Sequence, residues 1–139
     1  MTKLFIALLF VFLFATFSAA QEQAQHPINK ALEACIDKNG STAGMVGCTD
    51  KAYAAWDNEL NKNYGALMSA LKPKQKEALR MAQLNWIRYR DLQFKFIDSV
   101  FDTLDGTMYI PMRISSRMQV IKKRALELKD YLNLVTEGG

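Results

Sequence analysis

Three carboxylates, Asp57, Glu59 and Asp91, are the residues of this chain best suited to acid–base work. A pair of them, one acting as acid and the other as base or nucleophile, would be the equipment of a two-carboxylate hydrolase. Asp57 and Arg90 are expected to neutralise each other, however, and nothing in the sequence raises a carboxyl pKa as an acid catalyst needs. His26 is the only histidine and lies in the polar leader QEQAQHP, where it serves no Ser or Cys nucleophile. There is no glycine-rich phosphate loop and no G-x-S-x-G. One histidine with two cysteines does not complete a four-ligand metal set. The expectation is a protein that is not an enzyme and needs no cofactor or metal.

The two cysteines, Cys35 and Cys48, make an even count, which in an oxidising compartment reads as a disulfide. Closing that loop is worth about 3 kcal/mol on the chain-entropy model. The compartment is argued from the first twenty residues, MTKLFIALLFVFLFATFSAA. One charge at Lys3, an apolar run from Leu4 to Phe17 and small residues at Ser18 and Ala20 have the layout of a cleaved secretory signal. That apolar core is short for a spanning helix, so no stable membrane anchor is expected after cleavage near Ala20-Gln21. The expected product is periplasmic or secreted in a bacterium, with residues 21–139 forming a single domain. Loss of Lys3 brings the formal charge from +4 to +3 with His26 neutral. The excess is mild and unclustered, which excludes the electrostatic footprint of a nucleic-acid binder.

These residues must be positioned by helices, because strand-like alternation is absent. Pro27 to Lys38 reads as a short first helix closed by Asn39-Gly40. Ser41-Thr42 caps a second, whose stripe is Met45, Cys48, Ala52, Trp56, Leu60, Tyr64, Leu67 and Leu71. Pro73 opens a third, running to about Phe101 with the stripe Leu79, Ala82, Trp86, Phe94, Ile97 and Phe101. A loop with Asp105-Gly106 and Pro111 precedes a fourth, on which Ile114, Met118, Ile121, Ala125, Leu128 and Leu132 share one narrow face. The fold class predicted is all-α: a small antiparallel four-helix bundle, its short first helix tied to the second by the disulfide. Most of the methionines read as core filler.

In AQLNWIRYRD, Gln83 and Arg90 lie in or beside the apolar stripe of the third helix, flanking Trp86. The tight Lys72-Pro73 turn makes helices two and three an antiparallel hairpin. Leu60 then meets Trp86, Tyr64 meets Gln83, and Trp56-Asp57 meets Tyr89-Arg90. Asp57 is expected to take Arg90 through a forked ion pair, Trp56 to lie on the guanidinium, and Asn61 to satisfy Gln83 or Tyr64. That network would fix register more than it would add stability.

The stretch FIDSVFDTLDG breaks a local rule. Asp98 and Asp102 are like charges four residues apart near a helix C-terminus, where the macrodipole disfavours anions. With Asp105 they form an acidic patch beside Met108, Tyr109 and Ile110, an apolar segment able to anchor a partner.

The run C-x12-C followed by AYAAWDNELNKNYGALMSAL, then LRMAQLNWIRYRD, Gly106-Thr107 and KKRALELKDYL resembles the lysozyme inhibitor LprI-type family from about Cys35 to Leu132. The resemblance implies that Cys35 and Cys48 are the family's first disulfide. It places Trp56, Leu60, Asn61, Tyr64, Gln83, Trp86, Arg90, Asp91 and Arg124 at signature positions, next to Asp57. Relatives with a second disulfide carry a cysteine where this chain has Phe94, so its fourth helix is expected to be held by packing alone. The family's namesake is lipid-anchored, whereas Gln21, and no cysteine, stands directly after the expected cleavage site here. The resemblance implies a protein partner, a c-type lysozyme or other wall hydrolase; the charge pattern, separately, places the expected contact at Asp98, Asp102, Asp105, Met108, Tyr109 and Ile110. The alternative is a non-inhibitory envelope accessory or toxin-immunity protein. Long-range charge argues against the simplest form of inhibition, since c-type lysozymes are strongly basic and a cationic partner would be repelled, so attraction would have to be local.

Overall fold

The structure, a computed structural model, describes residues 26–138; the expected signal segment lies outside the described residues. The chain forms α1 (Pro27–Lys38), α2 (Thr42–Ala70), α3 (Pro73–Phe101) and α4 (Tyr109–Glu137), with no strand among the described residues. Each break has a local cause. His26 Nδ1 accepts from the Ile28 N–H at 3.3 Å and Pro27 opens α1 without wasting a donor. Ser41 Oγ accepts from the Gly44 N–H at 3.1 Å to start α2. A Cβ at Gly44 would collide with the Asn39 carbonyl, so only glycine lets α1 and α2 turn this closely. At the next corner Pro73 opens α3, and the Gln75 side chain accepts from the Lys72 N–H at 3.0 Å. The last helix begins earlier than the sequence implied. Tyr109 and Ile110 already belong to α4, and Pro111 is tolerated because the first-turn donors are unpaired anyway.

The core is a seam between α2 and α4, the most intimately packed pair of helices. Ala52, Trp56, Leu60 and Leu67 from α2 interlock with Met118, Ile121, Ala125 and Leu128 from α4, all buried. Alanines at 52 and 125 let the two axes approach closely. Asn63 uses that approach: buried in the seam, it donates to the Ala125 carbonyl at 3.0 Å. α1 lies across α2, held by the Cys35–Cys48 disulfide with Cα atoms 5.7 Å apart. Its Ile28 and Leu32 reach the core, and the His26 ring lies 4.3 Å from the fully buried Trp56 ring.

The α2–α3 hairpin differs from the expectation in distance more than in direction. Tyr53 meets Phe94 at 6.5 Å between ring centroids, close to the predicted register. The aromatic side chains of Tyr53, Trp86 and Phe94 fill the gap, so α3 packs on the core through large side chains instead of by close backbone approach. Asp57 and Arg90 therefore do not pair. Arg90 instead binds its chain neighbour Asp91, and Asn61 turns back to its own helix, donating to the Asp57 carbonyl at 2.9 Å.

Candidate functional site

Arg90, Arg117 and Arg124 are distributed around two rings. The Arg124 guanidinium stands 5.8 Å from the Trp86 centroid, Arg90 stands 5.8 Å from Trp86 and 6.0 Å from Phe94, and Arg117 stands 5.4 Å from Phe94. These distances fall within cation–π range. The innermost member is Arg124, 8% exposed, whose Nε donates to Gln83 Oε1 at 3.0 Å and whose Nη1 donates to Glu127 at 2.8 Å. Gln83 thus serves α4, where the sequence pairing had assigned it to α2. Arg90 donates to Asp91 at 2.9 and 2.7 Å. The Tyr53 hydroxyl lies in the field of Asp57 and Arg90 alike; burial first, then Asp57, pushes its pKa up against Arg90 and Arg117. Each of the three carboxylates has a polar partner. Asp91 is held by Arg90, Glu59 by Lys62 at 3.3 Å, and Asp57 by Asn61 at 3.3 Å.

The acidic end of α3 has partners that the sequence reading missed. Arg117 pairs with Asp98 and Arg113 with Asp102, so two anions four residues apart on α3 meet two cations four residues apart on α4. This ladder compensates the like-charge repulsion and the unfavourable macrodipole together. Asp105 has no ion pair among the described residues and is exposed. Around it the α3–α4 turn presents Leu104, Met108 and Ile110, the last two 59% and 50% exposed. Leu104 and Ile110 border a hollow of about 190 Å³, lined also by Phe101, Tyr109, Arg113 and Ile114. Gly106 gives the turn its shape, with φ at 123° in the region that disfavours side chains.

The signal for that ladder was present in the sequence as Arg113 and Arg117, spaced like Asp98 and Asp102 and reachable once the turn is folded. A wider groove of about 540 Å³ runs between α3 and α4, bordered by Trp86, Tyr89, Gln93, Lys123, Arg124 and Glu127. The signature residues Trp86 and Arg124 therefore line one cleft, with Gln83 bonded to Arg124, while Trp56 is core and Asn61 and Tyr64 lie on the α2 side.

Residues 35–128 match the family model described as Lysozyme inhibitor LprI. The chain belongs to this family. The match starts at the first disulfide cysteine and stops at Leu128, the last buried residue of α4, so it covers the seam and the arginine–aromatic stack together. Within the curated proteins, the chain is 34% identical over 99 residues to an uncharacterized protein of Rhizobium meliloti (strain 1021), covering 61% of this chain and 69% of the relative. Among solved structures it is similar to an uncharacterized protein from Burkholderia thailandensis, with a TM-score of 0.75 and 27% identity over 82% of this chain. The chain spans 57% of the length of that solved relative. Among the described residues no helix is long and apolar enough to cross a membrane.

Proposed function

We propose that this LprI-family protein is a secreted or periplasmic binding protein that holds a wall-degrading enzyme of the lysozyme type, without catalysis of its own. Contact runs through the α3–α4 turn: Asp98, Asp102, Asp105, Met108, Tyr109 and Ile110. The observation that carries this reading is the exposure of Met108 and Ile110 at the turn, where Ile110 borders a largely apolar hollow, an arrangement that costs solvation unless a partner covers it. The ion-pair ladder shifts the balance of forces there. With Asp98 and Asp102 neutralised by Arg117 and Arg113, apolar contact supplies the affinity and Asp105 supplies the free carboxylate for a basic partner. The formal charge of +3 after signal removal favours a second reading, an envelope accessory or immunity protein whose partner is acidic.

The test is lysis of cell walls by a c-type lysozyme in the presence of purified residues 21–139. Inhibition at micromolar protein is expected, lost in Ile110→Glu and weakened in Asp105→Lys. Absence of inhibition at micromolar excess moves the assignment to the second reading. Inhibition unchanged by Ile110→Glu places the contact elsewhere on the molecule.

A further inference from the structure

α1 is fastened at its two ends by different means. Near its C-terminus the Cys35–Cys48 bond ties it covalently to α2. None of its 12 residues is fully buried, and a helix that short is marginal in water, so it keeps its place through its anchors. It does not lie flush on α2: an apolar slot of about 340 Å³ remains between them, lined by Pro27, Ile28, Leu32, Ala52, Ala55 and the disulfide. The N-terminal end is held without a covalent bond. His26 Nδ1 accepts from the Ile28 N–H at 3.3 Å while its ring lies on Trp56, centroids 4.3 Å apart. Lys122 of α4 stands 5.4 Å from the same indole and donates to Asn29 Oδ1 of α1 at 3.4 Å. Two basic side chains therefore share one ring at the end of α1 that has no covalent tie.

The charges around His26 come from three helices. α2 contributes Glu59 and Lys62, which bind each other at 3.3 Å, and α4 contributes Lys122, which has no ion pair among the described residues and whose own pKa burial pushes down. On α1, Lys30 and Glu33 are exposed. Glu59 is thus the carboxylate that favours a proton on His26, and Lys62 shares it. Protonation there removes the lone pair that caps the Ile28 N–H, sets a cation beside Lys122 and Lys62, and charges a half-buried ring. The indole attracts a cationic ring, but Lys122 already draws on it. Trp56 is fully buried, and its indole N–H has no acceptor among the described residues. Water admitted when His26 lifts supplies a hydrogen bond that the closed arrangement lacks.

We propose that α1 is an acid-released latch: when His26 takes up a proton, its end of α1 lifts from Trp56 and Lys122, while the Cys35–Cys48 bridge holds the other end as a hinge. Opening bares Trp56 and the inner side of Ile28 and Leu32 and leaves the α2–α4 seam closed, so an apolar patch on α2 becomes available according to the acidity of the surroundings. In the released state the imidazole stands in water at its ordinary value of 6.5. Opening therefore takes up one proton and gains as the pH falls below 6.5 toward the closed-state pKa. A single proton sets a ceiling of about tenfold in the opening equilibrium per pH unit. The latch is independent of what the α3–α4 turn binds.

Untagged residues 21–139 hold a single histidine, so its ring-proton magnetic resonance signal reports His26 directly. A midpoint below 6.5 is expected, rising in Lys122→Met, which keeps the stem and removes the neighbouring cation; a midpoint at or above 6.5 in the parent overturns the proposal. Amide hydrogen exchange, corrected for the intrinsic effect of pH, reads the opening itself. A released helix of this length frays, so protection at residues 30–34 should fall about threefold or more between pH 7.5 and pH 5, with the buried amides of α2 and α4 unchanged. His26→Asn retains a capping acceptor and cannot titrate, so its α1 protection should be the same at both pH values. Equal protection of α1 in the parent at both pH values overturns the latch. So does a loss that persists in His26→Asn, which belongs to another group, and so does a loss shared by all four helices, which is unfolding of the whole chain.

Discussion

The α2–α4 seam and the outer side of α3 both carry large apolar side chains at helical spacing, and they end in opposite environments. In the seam, Trp56, Met118, Ile121 and Leu128 are fully buried, and even the polar Asn63 has its hydrogen bond. On α3, Leu92 and Phe96 keep more than half their surface in water. What separates them is the neighbour. Two alanines let α4 close on α2, whereas the rings of Tyr53, Trp86 and Phe94 hold α3 off, and one face of α3 suffices for that looser contact. Amphipathic spacing marks a face that wants burial; it does not say that the fold of one chain provides it.

Truncation should give the widest separation between the two regions. Leu128→Ala is expected to cost about 2–5 kcal/mol through lost transfer energy and a residual cavity. Leu92→Ala, measured by urea unfolding, should stay within about 0.5 kcal/mol. Equal losses at both positions would mean that α3 buries its outer face within one chain. Reducing Cys35–Cys48 comes next. About 3 kcal/mol should be lost, seen as a lower melting temperature with the helical signal largely kept, because the bridge ties α1 to the seam and lies outside it.

Asn63→Ala is expected to cost about 1–2 kcal/mol, the worth of one buried interhelical hydrogen bond plus its packing. By contrast Arg90→Ala should cost about 1 kcal/mol. Its ion pair with Asp91 is largely exposed, and its ring contacts, at 5.8 and 6.0 Å, are worth a fraction of a kcal/mol each. A double-mutant cycle between Asp57 and Arg90 should show no direct coupling, whereas one between Asp98 and Arg117 should show it.

The smallest effect is acidic. Burial foremost, with Lys122 and Lys62 nearby and Glu59 opposing, pushes the His26 pKa down. Its Nδ1 must stay unprotonated to accept from the Ile28 N–H. A folded-state pKa below the unfolded value of 6.5 means that the unfolded chain binds more protons between the two. Stability should therefore be undiminished above about pH 6.5 and fall as the pH drops through the folded pKa, and His26→Asn should flatten that slope.

How much could be read in advance follows the range of each interaction. The helix boundaries at Pro27, Lys38, Thr42 and Pro73 were legible because proline, serine and glycine act on residues within a turn of themselves. The start of α4 was misread because Pro111 looked like a loop former, although it sits in a first turn where its missing donor costs nothing. The pairing of Asp57 with Arg90 failed on a distance, since register can be counted along a chain and interaxial separation cannot. Arg113 and Arg117 were passed over because their partnership with Asp102 and Asp98 exists only once the turn has closed.

By itself the sequence determined the all-α class, the four segments, the Cys35–Cys48 bond and the apolar faces of α2 and α4, because helix periodicity, end chemistry and a single possible cysteine pairing are local or combinatorial facts. The tertiary structure decided which apolar side chains of α3 turn inward, that Arg124 is shared by Gln83, Glu127 and Trp86, and that the acidic end of α3 is neutralised. These depend on how close one helix axis comes to another, and that distance is set by the sizes of side chains from both helices at once, a quantity no single stretch of sequence contains.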